Sequence, residues 1–167
     1  FRSSVDCLIG VDLSTAMIAR AEAKNLYDRL VAADLTNFLI DAAGRGAKYH
    51  LILAADVFVY ANDLHPIIAA VARVVAPDGL FAFTVETYPG DAVKLLPTLR
   101  YAHGEPYVRH ALTGAGFKVA IIFTAAVRSE KGEPVDSLVV VAQNGAANSR
   151  DRSQFGGIEP TAAENDC

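Results

Sequence analysis

Short apolar runs alternate with helix-length amphipathic segments along most of this chain. Leu8–Val11 and Leu30–Ala33 are the first two runs, and each stops on an aspartate, Asp12 and Asp34. Between them Ser14 stands where it can cap a helix from Thr15 to about Lys24, rich in Ala, Met and Ile. After the second run Thr36 caps a shorter predicted helix that ends near Gly44 and Gly46. Tyr49–Ala55 is apolar nearly throughout, the pattern of a strand covered on both faces. A long helix is predicted from about Asp63 to Ala76, with Pro66 in its first turn, where the missing N–H does no harm. Pro77-Asp78-Gly79 is a turn signal and hands over to a strand at Leu80–Glu86.

Repeated β-α-β order predicts an α/β fold with a parallel sheet and right-handed crossovers. The last third breaks the rhythm. Glu105–Ala115 reads as a helix ended by Gly116, and two strands follow with no helix between them: Lys118 to about Val127, then Asp136–Ala142. The polar linker Ser129–Pro134 carries Gly and Pro, so the sheet is expected to close in an antiparallel hairpin. From Asn144 to Cys167 the composition shifts to Asn, Ser, Gly, Ala and charge. Such a segment buries too little surface to offset its ordering entropy. The expected organisation is one domain over residues 1–143 and a disordered tail over 144–167.

Composition narrows the function classes. A length of 167 residues fits one domain with a sizeable core, and 52% hydrophobic with 20% charged residues is ordinary for a soluble protein. A net charge of −4 gives no basic face for nucleic acid. The apolar runs are too short to span a membrane, and Phe1–Asp6 does not form a signal peptide, so the expected compartment is the cytoplasm. Without an initiator Met the chain reads as starting inside a longer protein. Cys7 and Cys167 offer neither a disulfide framework nor a zinc site, and no His, Cys, Asp and Glu set has metal-ligand spacing.

Chemistry enters at the strand ends. In open α/β sheets, ligands sit in the crevice beyond the carboxyl ends of parallel strands. Acidic residues ending consecutive strands therefore point to a site for a ribose and a purine. Each has a plainer alternative: Asp12 caps the Thr15 helix or a turn, and Asp34-Leu35-Thr36 starts a helix. No glycine-rich loop comes before the first strand.

Parallel strands that finish in an antiparallel hairpin resemble the class I S-adenosylmethionine-dependent methyltransferases, whose sheet is Rossmann-like. Gly10-Val11-Asp12-Leu13-Ser14 followed by Met17 looks like the acidic motif at the end of that family's second strand. Ala33-Asp34-Leu35 looks like the motif ending its third, and Tyr49–Val57 like that of the fourth. Val75-Ala76-Pro77-Asp78-Gly79-Leu80 resembles the lead into the fifth. The likeness spans about Leu8 to Gln143. Arg100–Arg109 with Arg128–Pro134 is similar to a bacterial subgroup of predicted methyltransferases, some attached to tetratricopeptide repeats, which the resemblance would put upstream. His50 stands where the family usually has Asp, and Pro-Asp-Gly replaces Pro-Gly-Gly. The family's first strand and its glycine loop are absent, so the chain alone is expected to bind cofactor poorly and to be inactive.

The resemblance implies roles. Asp12 would accept the ribose diol of S-adenosylmethionine and Asp34 the adenine amino group, with Leu13, Met17 and Leu35 in apolar contact with the ring. Ala55, Asp56 and Val57 would line the floor near the methionine moiety and the transferred methyl. His103 would be a general base for a hydroxyl or amine acceptor. Tyr60, Tyr88, Tyr101 and Tyr107 would contact the acceptor, itself an unidentified small molecule or protein. Two other readings stand: a non-catalytic nucleotide-binding or scaffold domain, and an NAD-dependent dehydrogenase, against which the terminal hairpin argues.

Overall fold

The computed structural model describes residues 2–130 and 132–145, so nearly all of the expected tail lies outside the described residues. Two compact units divide the chain, one running to Ala47 and the other starting at Lys48. In the first, β1 (Ile9–Asp12), α1 (Thr15–Glu22), β2 (Arg29–Ala32) and α2 (Leu35–Gly44) follow one another. β1 and β2 pair in parallel, Ile9 opposite Arg29 and Asp12 opposite Ala32. Ser14 caps α1 as expected, its Oγ accepting from the Met17 N–H at 3.3 Å. Asp34, rather than Thr36, caps α2: its Oδ1 accepts from the Asn37 N–H at 3.0 Å, and the helix starts two residues sooner. Gly10 is required by packing, since a β-carbon there would lie 2.7 Å from Leu30 Cδ2. Cys7 is not a free thiol.

The second unit holds β3 (Tyr49–Ala54), a 3-10 turn at Phe58–Tyr60, α3 (His65–Val74) and β4 (Val75–Glu86). A small hairpin follows, β5 (Val93–Leu95) with β6 (Tyr101–His103), then α4 (Glu105–Gly114), β7 (Phe117–Glu130) and β8 (Glu133–Asn144). The main sheet has the order β3-β4-β8-β7; β3 and β4 are parallel, and β8 is antiparallel to both its neighbours. The expected closing hairpin is present, with β7 and β8 longer than the apolar pattern indicated.

Alternation along the strands sorts the sheet into two faces. Phe81, Phe83 and Val85 of β4 and Leu138, Val140 and Ala142 of β8 are buried on one. Phe58 meets the rings of Phe81 and Phe83 edge-on at 6.2 and 5.6 Å, and Ile68, Val71 and Leu112 complete this core. The other face carries Leu53, Leu80, Ile121 and Phe123, all exposed within the described residues. Among the described residues of this unit, β3 is thus covered on one face.

Two further departures have local causes. β4 begins at Val75, and the Pro77-Asp78-Gly79 signal is a bulge inside it: Tyr49 faces Val75, but Leu51 already faces Leu80. Asp78 turns the chain at φ 60°, and a β-carbon on Gly79 would lie 2.8 Å from Val75 Cγ1 and 2.9 Å from the Ala76 carbonyl. The β5–β6 hairpin gave no sequence signal, because strands of three residues are too short to show a period. Among the described residues no helix is long and apolar enough to cross a membrane.

Candidate functional site

In the first unit Asp12 ends β1 opposite Ala32, and Asp34 lies two residues beyond the end of β2. Asp12 is half-buried, and its Oδ1 accepts from the Ser14 N–H at 2.7 Å. Asp34 is exposed and uses Oδ1 on the Asn37 N–H. Both plainer alternatives, a turn and a cap, are therefore realised. Each nonetheless spends one carboxylate oxygen and leaves Oδ2 without a hydrogen bond among the described residues. Leu13 and Met17 expose their side chains just beyond Asp12. A cavity of about 370 Å³ is lined by Asp12 and Met17 together with Gly10, Val11, Ile18 and Tyr27. Leu13, Asp34 and Leu35 are not in its wall.

In the second unit Ala55, Asp56 and Val57 follow β3, all exposed. Ala55 edges an apolar recess of about 230 Å³ with Leu53, Thr84 and Val139. Asp56 is turned into the left-handed region at φ 54°, and its backbone N–H donates to Thr84 Oγ1 at 2.9 Å. Its carboxylate faces two guanidinium groups, with Oδ1 3.5 Å from Arg128 Nε and 3.8 Å from Arg100 Nη1. Arg128 donates through Nη2 to the buried Glu86 carboxylate and through Nη1 to Glu130 at 3.1 Å. Burial alone would lower the pKa of Arg128, but the bonds to Glu130 and Glu86 and the charge of Asp56 outweigh it and raise it.

A bulge in β7 creates this arrangement. Ala126 faces Asp136 and Arg128 faces Val135, so Val127 is an extra residue with no partner in the register. Val135 lies on the same side of the sheet as Ser137, and Ser137 faces Glu86. In a regular ladder Val127 would face Val135 and occupy that side; the bulge puts the guanidinium there instead.

The expected general base is not at a site. His103 is 0% exposed, and its Nε2 donates to the Ala61 carbonyl at 2.9 Å. Its Nδ1 is then a bare lone pair, buried without a partner. Burial lowers its pKa, a shift only partly offset by the Ala61 bond. Thr87 Oγ1 donates to its carbonyl at 2.9 Å, so His103 packs β6 against the main sheet and cannot reach an acceptor. Tyr107 is also structural. Its hydroxyl donates to Asp63 Oδ1 and accepts from the Leu64 N–H, both at 2.8 Å, fastening the start of α3. Burial, chiefly, pushes its pKa up to about 12. The backbone N–H of His65 is the main cause that lowers the pKa of Asp63, with the His65 side chain and Tyr107 adding to it.

Of the other tyrosines, Tyr60 is exposed, with the Arg100 guanidinium 5.8 Å from its ring centre. Tyr88 is half-buried under Lys94, and Tyr101 is half-buried on β6. Among the described residues no group of three or more His, Cys, Asp and Glu could hold a metal. Glu86, Arg100 and Arg128 were not singled out as site residues from sequence. The signal for Arg128 was a charged residue in an otherwise apolar strand, but its facing depends on the bulge.

The arrangement of strands and the closing hairpin define an α/β fold of the Rossmann-like kind. Solved structures agree. A methyltransferase from Methanosarcina mazei is 14% identical, covers 87% of this chain and 85% of its own, and superposes with a TM-score of 0.64. Magnesium protoporphyrin IX methyltransferase from Synechocystis, solved with bound S-adenosylmethionine, is 18% identical over 86% of this chain and 62% of its own, TM-score 0.63. The N-methyltransferase NodS from Bradyrhizobium japonicum, in complex with S-adenosyl-L-homocysteine, is 21% identical over 83% and 66%, TM-score 0.60. No curated protein matches the chain. Residues 3–83 match the family model described as a methyltransferase domain.

Proposed function

We propose that the chain is an S-adenosylmethionine-dependent methyltransferase whose methyl donor is held beyond the carboxyl ends of β1 and β2 by Asp12 and Asp34. The acceptor is an unidentified small molecule or protein. The observation that carries this reading is the Asp12 carboxylate. One oxygen is fixed on the Ser14 N–H, which orients the group, and the other is free to accept. A carboxylate so oriented suits a ribose diol, since hydrogen bonds to a charged acceptor are worth roughly 1.5–3 kcal/mol each. Asp34 has the same free oxygen for an exocyclic amine, and the exposed Leu13 and Met17 offer apolar contact to a base. When bound, S-adenosylmethionine supplies an electrophilic methyl group on a good leaving group. What is then asked of the protein is orientation and exclusion of water, and well-positioned reactants are worth roughly 7–11 kcal/mol. The absence of His103 from the site does not count against this chemistry.

Calorimetry on the intact protein with S-adenosylmethionine, S-adenosyl-L-homocysteine and NAD tests the reading. Binding of the first two is expected, and Asp12→Ala should weaken it at least tenfold. Asp12→Asn, which keeps the acceptor for Ser14, should still weaken it by removing the charge. Binding of NAD alone, or an unchanged Kd in Asp12→Ala, would overturn the assignment.

A further inference from the structure

Beyond the carboxyl ends of β3 and β4 two cations and three carboxylates gather, and the hydrogen bonds are shared unequally. Arg128 satisfies both terminal nitrogens on Glu86 and Glu130, but its Nε is buried and has no hydrogen-bond partner. Arg100 has one ionic neighbour, Asp56 at 3.8 Å, and its Nη1 is likewise buried without a hydrogen bond. The two orphan donors face the same oxygen, Asp56 Oδ1, which lies beyond hydrogen-bonding range of both. Buried donors are almost always bonded, and one left unmade costs roughly 1–3 kcal/mol. Here there are two, aimed at one point.

The surroundings make that point reachable. Asp56 is 49% exposed and Arg100 25%, and the exposed ring of Tyr60 lies beside the Arg100 guanidinium. Arg100 is presented at the base of a tight turn: the Leu99 N–H donates to the Leu96 carbonyl, the Leu96 N–H donates to the Arg100 carbonyl, and Leu99 is held at φ 61°. Glu86 and Glu130 occupy the two terminal nitrogens of Arg128. What remains for a ligand is the Arg100 guanidinium plus one N–H of Arg128, beside a carboxylate that bonds to neither.

We propose that Arg100 and Arg128 Nε form an oxyanion subsite, with Asp56 as its internal stand-in, and that the methyl acceptor carries a carboxylate or phosphate that docks there. This rests on the proposed methyl transfer, and on the place of the cluster beyond the carboxyl ends of β3 and β4. An acceptor oxygen seated between the two guanidinium groups accepts from both orphan donors, and Asp56 swings toward solvent. Any flat portion of the acceptor then lies along the Tyr60 ring.

Arginine side-chain NMR on the intact protein tests this without knowledge of the acceptor. Acetate and inorganic phosphate are titrated separately while the Nε–Hε signals of Arg100 and Arg128 are followed. Saturable shifts of both signals are expected, and the anion with the lower Kd identifies the acceptor group as carboxylate or phosphate. Arg100→Gln should weaken binding at least tenfold, and Arg100→Lys should restore part of it. Asp56→Asn should tighten it several-fold, because the competing carboxylate is gone; a purely structural role for Asp56 would not produce tightening. Titration of S-adenosyl-L-homocysteine into Arg100→Gln should give an unchanged Kd, which separates this subsite from the cofactor site. Anion titrations without saturable shifts, or an Asp56→Asn variant that binds no more tightly, would overturn the proposal whether or not the cofactor binds.

Discussion

Replacing Arg128 by Met is the sharpest test of how the second unit is held together. Glu86, at the end of β4, is 7% exposed, and the Arg128 side chain that bonds it is 15% exposed. Removing the guanidinium leaves a carboxylate in the core with no counter-charge. Breaking a buried ion pair from one side costs roughly 3–5 kcal/mol, and the slight exposure of Arg128 puts the expected loss at about 3 kcal/mol. At roughly 2–4 °C per kcal/mol for a chain of this size, Tm should fall by about 6–12 °C. The reverse change is milder. In Glu86→Gln, Arg128 keeps Glu130 at 3.1 Å and the Asp56 charge at 3.5 Å. One weakened charged hydrogen bond then costs about 1–2 kcal/mol. The double variant Glu86→Leu with Arg128→Met removes both charges and should recover most of the loss, since an apolar pair of similar volume is often neutral. Thermal and urea unfolding of the parent, Arg128→Met, Glu86→Leu and the double variant give the cycle directly. The ion-pair reasoning fails if the double variant loses the full sum of the two single changes, or if Arg128→Met alone stays within about 1 kcal/mol of the parent.

Two other outcomes follow from the packing. Gly79→Ala should destabilise by about 1–3 kcal/mol in urea unfolding, because the new methyl meets Val75 Cγ1 at 2.8 Å and two carbonyl oxygens near 3 Å; an unchanged midpoint would mean that the bulge relaxes freely. The folded pKa of His103 lies below its ordinary 6.5, so the unfolded chain takes up the proton first as pH falls. The stability tied to neutral His103 is then present above about pH 6.5 and is lost as pH drops toward its folded value. A His103→Gln variant should show a flatter stability profile over that window, and an identical slope would exclude His103 as its source.

What the sequence disclosed follows from the length of its patterns. β1, β2 and β3 announce themselves because each is a short apolar run between helical segments, and the aspartates at the ends of the first two are explicit letters. Ser14 and Pro66 mark helix starts by local backbone chemistry, which needs no tertiary partner. Thr36 misled because Asp34, two residues earlier, caps equally well and the helix took the first cap it met. His103 was misassigned because a histidine between tyrosines looks like a site, whereas its burial depends on β6 packing against β4, and β6 left no periodic trace. The charge cluster was hidden for a similar reason. Arg100, Arg128, Glu86 and Asp56 are spread over more than seventy positions, and only the sheet register brings them together.

The unpaired Val127 makes the facing of Arg128 depend on pairing as well as on composition. Along β7 the side of the sheet on which a residue falls is a matter of odd or even count, and the bulge adds one to that count just before Arg128. A regular ladder through the same residues would put Val127 opposite Val135 and leave Glu86 beside an apolar neighbour. Deleting Val127 takes away the bulge and its extra count together, so the arginine stays opposite Val135. Among homologues, a one-residue gap at this position is therefore compatible with an arginine on the Glu86 side.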